Sequence, residues 1–313
     1  QKYTYEIRMQ QGSGGFGLRF YWKSPIQASA PSAYQSSLPA NTYYQSWTQN
    51  LQELVSTPDL DGSSAIKAAP NAKYLQTAFS NYTDNVYWIN LPFVGPTQIY
   101  CLLSSTIDGG GWMMMMKATR GTTFPYSSTY WTAINTLNPT AYNRNDGDAK
   151  FDAMNYFYAK DLMALWPDIP SNYGSGTGGA VNLLSSYNNW CWLQNNFNNG
   201  IRITPVNFFA SSTKLFFKDA NTFAGKGTVF SSQTDVRFYG FNYTNAGGTA
   251  GVRWGFGWNE NGGGLYPTGD ENSNDVSGGI GMSWGSYSAG DYISCCQNAT
   301  GVNRTARVEL YVR

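Results

Sequence analysis

Two short runs of carboxylate and amide side chains have the residue types and spacing of a metal site. The first is Asn259-Glu260-Asn261, and the second is Asp270-Glu-Asn-Ser-Asn-Asp275, where acceptors recur at alternate positions. Calcium takes six to eight oxygen ligands in flexible geometry. The second run is not an EF-hand loop, because its sixth residue is Asp275 rather than glycine. The pattern predicts one Ca²⁺, with a solvated polar turn as the alternative. The predicted ligands are Asn259, Glu260, Asn261, Asp270, Glu271 and Asp275.

Aromatic residues surround these two runs in the sequence. A flat ring can face the C–H groups of a sugar, while polar side chains or a metal ion take its hydroxyls. The segment Arg253-Trp-Gly-Phe-Gly-Trp258 alternates large residues with glycine, which predicts a strand with one crowded face. Several of the rings must therefore belong to the core. We expect at least one ligand-facing ring among Trp258, Tyr266, Trp284 and Tyr287.

A third polar run, Asn143-Arg-Asn-Asp-Gly-Asp148, precedes a stretch that we predict to be helical. It has two interpretations. The run could hold a structural calcium ion, or it could form a turn that caps the following helix. We favour the cap, because Asp and Asn are common at helix N-termini.

The 313-residue chain contains no histidine. This absence excludes Ser-His-Asp catalysis, Cys-His catalysis and histidine-ligated zinc. Only 12% of the residues are charged and the formal net charge is +1, so no basic surface for nucleic acid is expected. The apolar runs are far shorter than the ~20 residues of a membrane span. We predict a protein that is not an enzyme, although a glycosidase with two carboxylates stays open.

Cysteines and glycosylation sequons both indicate an extracellular protein. The four cysteines form no C-x-x-C pair, which disfavours a zinc ribbon or a redox site. An even cysteine count together with four sequons favours an oxidising, glycosylating route. Because a bond between adjacent cysteines is strained, we expect Cys295 and Cys296 to reach different partners, one Cys101 and one Cys191. The predicted glycosylation sites are Asn81, Asn242, Asn298 and Asn303.

The chain before residue 84 reads as a hairpin followed by a linker. Tyr3–Arg8 and Gly17–Trp22 alternate like strands around a glycine turn, which predicts a β-hairpin within residues 1–24. Residues 25–83 are predicted to be a linker that starts Pro- and Ser-rich. Spacings of four and three between apolar residues predict one helix in it, at about 43–56, and residues 57–83 read as irregular. A further helix is predicted at about 151–165.

Seven segments, taken in chain order, resemble a known superfamily. Asp84–Asn90, Gln98–Cys101 and Asp108-Gly-Gly-Gly-Trp112 resemble the opening of a fibrinogen-like domain. The three glycines predict a tight turn, which delivers Trp112 as a large buried anchor at the start of the next strand. The later segments are similar to the intelectin branch of that superfamily. They are Tyr158-Ala-Lys-Asp-Leu162, Gly262-Gly-Gly-Leu-Tyr-Pro267, Asp275-Val-Ser-Gly278 and Ala306–Arg313. The hairpin at the start resembles the closing strands of a PA14-type sandwich.

The resemblance implies an α+β fold with a twisted antiparallel sheet and long C-terminal loops over residues 84–313. It also implies a calcium-dependent carbohydrate-binding module of a secreted, cell-surface or virion-surface glycoprotein, with glycans as partners. The sequence departs from the intelectin pattern, since Asn259-Glu-Asn261 lacks its histidine and Thr268 replaces a glutamate. The alternative is therefore a structural assembly domain of a filament or capsid surface, which binds identical subunits and no free sugar.

Overall fold

The computed structural model describes residues 5–12, 15–22, 59–170, 189–213, 215–216, 238–244, 251–258, 276–293 and 303–313. The chain forms two compact units, Gln1–Thr57 and Pro58–Arg313. In the first unit, β1 (Tyr5–Gly12) and β2 (Gly15–Trp22) pair antiparallel from Tyr5↔Trp22 to Gly12↔Gly15. This is the predicted hairpin, and its likeness to a PA14 module stays a prediction. The helix predicted at 43–56 lies outside the described residues.

The described residues of the second unit form two antiparallel sheets. The strands of the larger sheet are β3 (Asn85–Leu91), β4 (Gly95–Leu102), β5 (Trp112–Ala118), β6 (Ala149–Lys150), β7 (Leu162–Pro170), β8 (Asn189–Gln194) and β15 (Val308–Val312). They lie in the order β3-β4-β5-β15-β7-β8, with β6 paired to β5. We call this the seven-stranded sheet.

The second sheet has six strands. They are β9 (Leu215–Phe216), β10 (Phe238–Thr244), β11 (Gly251–Trp258), β12 (Val276–Met282), β13 (Ala289–Ile293) and β14 (Asn303–Thr305). Their order follows the sequence, with β9 at one edge and β14 at the other. We call this the six-stranded sheet.

The core is organised around the centre of the seven-stranded sheet. The β5 run Trp112-Met-Met-Met-Met-Lys117 is buried along its whole length, because neighbouring layers cover both faces of the strand. Met113 and Met115 point into a core shared with residues of the six-stranded sheet. Trp112 and Met114 pack in a smaller cluster on the opposite face. A continuous apolar run is the expected sequence of such a strand.

The glycine triplet before β5 has the role that the sequence predicts for it. Gly109, Gly110 and Gly111 all have positive φ angles, which other residues rarely adopt. A Cβ atom on Gly110 would lie 2.5 Å from the Leu103 carbonyl oxygen. The turn delivers Trp112 into the core, where its Nε1 donates to the Ile107 carbonyl oxygen at 3.0 Å. The expectation of a buried anchor at the strand start is confirmed.

The predicted α+β class is wrong, because the chain is mostly β. The described residues form only three short α-helices, α1 (Ala72–Ala78), α2 (Asp152–Tyr156) and α3 (Pro205–Ala210). Three-residue 3-10 turns lie at Ala65–Lys67, Thr129–Trp131 and Trp284–Ser286. None of the helices in the described part of the chain is long and apolar enough to cross a membrane.

The helix predicted at 151–165 ends after α2, and the chain continues into β7. Residues Leu162 to Trp166 are all buried, and β7 lies between β15 and β8. Met163 packs on one face of the sheet and Ala164 on the other. Because the run is apolar on both sides, its hydrophobic pattern cannot distinguish a buried strand from a buried helix.

The described end of the predicted linker is part of the second compact unit. The side chain of Asn71 caps α1 by accepting from the Tyr74 backbone N–H at 2.8 Å. Ala69, Ala72 and Leu75 are fully buried, and Ala69 forms a parallel bridge with Ile89 of β3. The sequence misses α1 because only seven residues form it and its stability comes from packing.

Candidate functional site

At one end of the six-stranded sheet lie the strand ends that flank the segment with the predicted calcium ligands. There β11 ends at Trp258, which is the antiparallel partner of Val276 at the start of β12. Val276 in turn pairs with Ile293, where β13 ends. The start of β14 at Asn303 pairs with Tyr292. We call this end, defined by Trp258, Val276, Ile293 and Asn303, the loop edge.

The pairing at the loop edge places Trp258 and Val276, which flank the segment of the two predicted ligand runs, opposite each other. Asn259 directly follows Trp258, and Asp275 directly precedes Val276. Partner Cα atoms in an antiparallel pair lie about 4.5–5.5 Å apart. The predicted ligands Asn259, Glu260, Asn261, Asp270, Glu271 and Asp275, and the predicted sugar-facing Tyr266, lie outside the described residues. For Trp258, only the backbone is described.

Ser277 is a polar residue at the loop edge that the sequence did not single out. Its side chain is 1% exposed, and its Oγ has no hydrogen-bond partner in the part of the chain that the structure describes. An unsatisfied buried hydroxyl costs about 1–3 kcal/mol. Ser277 lies two residues after Asp275, in the Asp-x-Ser-Gly segment. A buried acceptor beside the predicted ligand run is compatible with a polar ligand at this edge.

Trp284 and Tyr287 lie in the turn at the other end of β12. The seven residues of β12 separate this turn from the loop edge, which is roughly 20 Å of backbone. Both side chains are half-buried. The Trp284 ring reaches across the sheet to Tyr292, with 4.7 Å between ring centroids. Tyr287 packs on the small cluster of Tyr243, Val252 and Met282. Their sequence proximity to the acidic runs therefore does not place their backbones beside those runs.

An ion pair anchors the outer strand near the loop edge. Asp291 of β13 is fully buried, and it pairs with Arg304 of β14, whose Nε lies 3.1 Å from Oδ1. Burial raises the pKa of Asp291 to about 7, and the Arg304 guanidinium opposes this increase. The sequence gives no sign of the pair, because its members are thirteen residues apart.

The polar run Asn143–Asp148 binds a lysine of its own chain. Lys117 Nζ donates to the carbonyl oxygens of Asn143 at 2.8 Å and Asn145 at 3.0 Å. The Asp148 carboxylate accepts from the Thr119 backbone N–H at 2.9 Å. The preferred helix-cap interpretation is wrong, because α2 has Phe151 at its N-cap position and no side-chain cap. The Lys117 ammonium is therefore a cation that this run holds, through oxygens of Asn143 and Asn145. Among the described residues, no group of three or more Asp, Glu or Cys could hold a metal ion.

Two of the four cysteines lie on opposite faces of the seven-stranded sheet. Cys101 of β4 packs in the core between the sheets, and Cys191 of β8 packs in the cluster on the outer face. Burial raises the pKa of both thiols, that of Cys191 to about 12. Cys295 and Cys296 lie outside the described residues, so the pairing stays a prediction. The predicted pairing requires the adjacent Cys295 and Cys296 to reach opposite faces of the seven-stranded sheet.

The structure separates the predicted glycosylation sites by exposure. Asn81 is exposed in the turn after α1. Asn242 is 1% exposed, its Nδ2 donates to the Thr213 carbonyl oxygen at 3.3 Å, and its Oδ1 accepts from Arg253 at 3.1 Å. A glycan on Asn242 is not compatible with this buried environment. Asn298 lies outside the described residues, and only the backbone of Asn303 is described.

A groove of about 610 Å³ is lined in part by Ser80 and Tyr82, the chain neighbours of Asn81. Its lining combines rings, hydroxyls, an amide and a carboxylate, from Gln76, Phe79, Ser80, Tyr82, Thr83, Asp84, Leu103, Ser104 and Ser105. Phe79 stacks on Tyr82 with ring centroids 4.9 Å apart, and Tyr82 stacks on Tyr87 at 5.3 Å. The groove was not predicted from the sequence. The signal that could have indicated it is the sequon itself, which has aromatic residues on both sides of Asn81.

Comparison with known proteins adds no family assignment, since neither a protein-family model nor a curated protein matches the chain.

Proposed function

We propose that the protein is a calcium-dependent carbohydrate-binding module of an extracellular glycoprotein, related to the intelectin branch of fibrinogen-like proteins. The observation that supports this most directly is the pairing of Trp258 with Val276. This pairing tethers the two oxygen-rich runs to neighbouring strand ends, as a single ion would require. The site performs binding and no catalysis.

Each predicted ligand and each predicted sugar-facing ring has a definite role in this proposal. Carboxylates from Glu260, Asp270, Glu271 and Asp275 would supply most of the negative charge around Ca²⁺, and Asn259 and Asn261 would add neutral oxygens. Four carboxylates in two tethered runs repel one another unless a cation neutralises them. When bound, the ion offers open coordination positions to sugar hydroxyls. Trp258 or Tyr266 would supply the stacking face.

Calcium is expected to stabilise the protein by mass action. At a free concentration one hundred times the Kd, the gain is about 2.7 kcal/mol. For a unit of this size, this corresponds to a rise in melting temperature of roughly 5–10 °C. The measurement is thermal unfolding after chelator treatment, with Ca²⁺ or Mg²⁺ added back. Asp275→Ala should abolish the response to Ca²⁺. The control is Asp59→Ala, which removes an exposed carboxylate from the segment before β3.

Sugar binding is tested separately on a glycan array read with and without chelator. Signal that disappears with chelator and returns with calcium supports the proposal. Signal that persists in chelator would show sugar binding without calcium. A melting temperature unaffected by calcium, together with a blank array, would contradict both parts of the proposal.

A second candidate function is self-assembly with identical subunits. Apolar residues at the β3–β4 turn favour it, because Phe93 is 87% exposed and Val94 is 41% exposed. The Phe93 ring lies 6.4 Å from the ring of Tyr156 on α2. Exposed aromatic side chains at a surface are typical of protein interfaces.

Phe93→Ser is expected to dissociate an assembly that uses this surface. The measurement is molar mass by light scattering during size-exclusion chromatography, over a wide range of protein concentrations. Ile201→Ser is the matched control, because Ile201 is 66% exposed and lies in a different loop. A monomer at all concentrations in the unmodified protein would rule out this function.

A further inference from the structure

The turn that carries Asn81 presents an aromatic ring on each side of the asparagine. Tyr82 N–H donates to the Phe79 carbonyl oxygen at 3.0 Å, which closes a turn with Asn81 at its third position. Asn81 is exposed, whereas Phe79 and Tyr82 are half-buried. Thr83 completes the Asn-x-Thr sequon that transfer enzymes recognise.

We propose that Asn81 carries an N-linked glycan whose first N-acetylhexosamine lies against the Phe79 ring, in the groove beside the turn. The proposal is independent of calcium and of the loop edge. It makes the groove the binding site of the protein's own glycan.

Three features of the groove fit this occupant. The first is its volume of about 610 Å³, which is ample for one or two sugar rings. The second is the aromatic stack, because Phe79 is held in place by Tyr82 at 4.9 Å and offers a pre-ordered apolar surface to sugar C–H groups. The third is the polar rim, where Ser104, Ser105 and Gln76 provide donors and acceptors for hydroxyl and acetamido groups.

The fixed backbone around the groove supports the same conclusion. Asp84 Oδ1 accepts from the backbone N–H groups of Leu103 at 2.6 Å and Ser104 at 2.9 Å. The Tyr87 hydroxyl donates to the Thr83 carbonyl oxygen at 2.8 Å. Both walls of the groove are therefore in place before a sugar arrives, so little conformational freedom is lost when one is seated.

The chemistry of the attachment needs a lipid-linked oligosaccharide diphosphate as donor. A bond forms between the anomeric carbon of the first sugar and Nδ2 of Asn81. The bond from that carbon to the diphosphate breaks, the lipid diphosphate leaves, and the amide nitrogen loses one proton. The acceptor must be accessible, which favours Asn81 and disfavours the buried Asn242.

The experiment compares four proteins secreted from a eukaryotic host, namely the unmodified chain, Asn81→Gln, Phe79→Leu and the double variant. Peptide mapping should find a glycan on Asn81 and none on Asn242. Loss of the glycan through Asn81→Gln should lower the melting temperature by roughly 2–4 °C when Phe79 is present. In the Phe79→Leu background the same change should have little effect. Because each comparison is made within one background, the cost of Phe79→Leu itself cancels.

A second readout is the NMR spectrum of the sugar. Protons of a ring seated on Phe79 should shift upfield, and the shift should disappear in Phe79→Leu. An unmodified Asn81 in the secreted protein would overturn the proposal. Equal stabilisation in both backgrounds, or sugar protons at their free-glycan positions, would also overturn it.

Discussion

Replacement of Arg313 by methionine is expected to lower the free energy of unfolding by about 3–5 kcal/mol. The Arg313 guanidinium lies 2.8 Å from Asp108 Oδ2 and 3.0 Å from Asp161 Oδ2. It also donates to the Gly110 carbonyl oxygen at 3.1 Å and lies over the Trp112 ring at 4.1 Å. Its side chain is only 18% exposed. Removal would leave two neighbouring carboxylates without a counter-charge.

Thermal and urea unfolding measure this effect. The loss corresponds to a fall in melting temperature of roughly 10 °C. The stability of Arg313→Lys should lie between that of the unmodified protein and that of Arg313→Met, because lysine keeps the charge but lacks the planar guanidinium that reaches both carboxylates. Arg202→Met is the control, since Arg202 is exposed and lies over the Tyr158 ring at 4.4 Å. It should cost no more than about 1 kcal/mol. Similar losses for Arg313→Met and Arg202→Met would contradict the proposed clamp.

Arg313 also shows which part of the structure the sequence could predict. The glycine triplet and Trp112 were predictable, because a positive φ and a strand start are local properties of a few residues. The clamp was not predictable, because its carboxylates lie about 150 and 200 residues earlier in the chain. Only the pairing of β15 with β5 and β7 brings them together.

The errors in secondary structure have a similar origin. The run Leu162–Trp166 is apolar at every position, so only its neighbours β15 and β8 decide that it is a strand. The role of Asn143–Asp148 depends on Lys117. This residue lies on β5, opposite Glu309 in the strand register of β15, and its ammonium group donates to a loop carbonyl oxygen. No pattern within the loop indicates that a lysine will occupy it.

The candidate site was predictable at the level of its strands. The glycine alternation of 253–258 indicated a strand, and β11 is there. The sequence did not show at which end of the sheet each segment lies. Residues just before and just after a strand are close in sequence, but the strand places them at opposite ends of the sheet. Trp284 and Tyr287 follow the acidic runs closely in sequence, yet β12 places their backbones at the opposite end of the sheet, although the Trp284 ring contacts Tyr292. A sequon also does not show whether its asparagine will be buried, so Asn81 and Asn242 cannot be distinguished until the fold is known.

Arg304→Met is expected to destabilise the protein more at about pH 8 than at about pH 5. Asp291 is fully buried, and Arg304 is the partner that contacts both of its carboxylate oxygens. Burial raises the pKa of Asp291 from 3.8 to about 7. A raised pKa means that the folded state binds a proton more tightly than the unfolded chain. The stabilisation from that proton is complete below about pH 4 and is lost as the pH rises through about 7.

Removal of Arg304 takes away the interaction that opposes this increase, so the pKa of Asp291 should rise further. At about pH 8 the folded variant must then hold an unpaired buried carboxylate or take up a proton, and the expected loss is about 3–5 kcal/mol. At about pH 5 the carboxyl group is already protonated in the folded variant, so the loss should be smaller. The opposite order would show that the carboxylate is stabilised by other groups.

Urea unfolding of each protein at the two pH values measures the difference. The double variant Asp291→Asn/Arg304→Met lacks the titrating carboxyl group. Its loss in free energy of unfolding, relative to the unmodified protein, should therefore be no larger at about pH 8 than at about pH 5. Arg120→Met is the matched surface control, because Arg120 pairs with Asp146 and Asp168 at 43% exposure. Such a surface pair contributes about 1 kcal/mol or less. If Arg304→Met behaves like Arg120→Met at both pH values, the Asp291–Arg304 pair does not stabilise the strand beside the loop edge, and the proposed calcium loops must be held in place by other contacts.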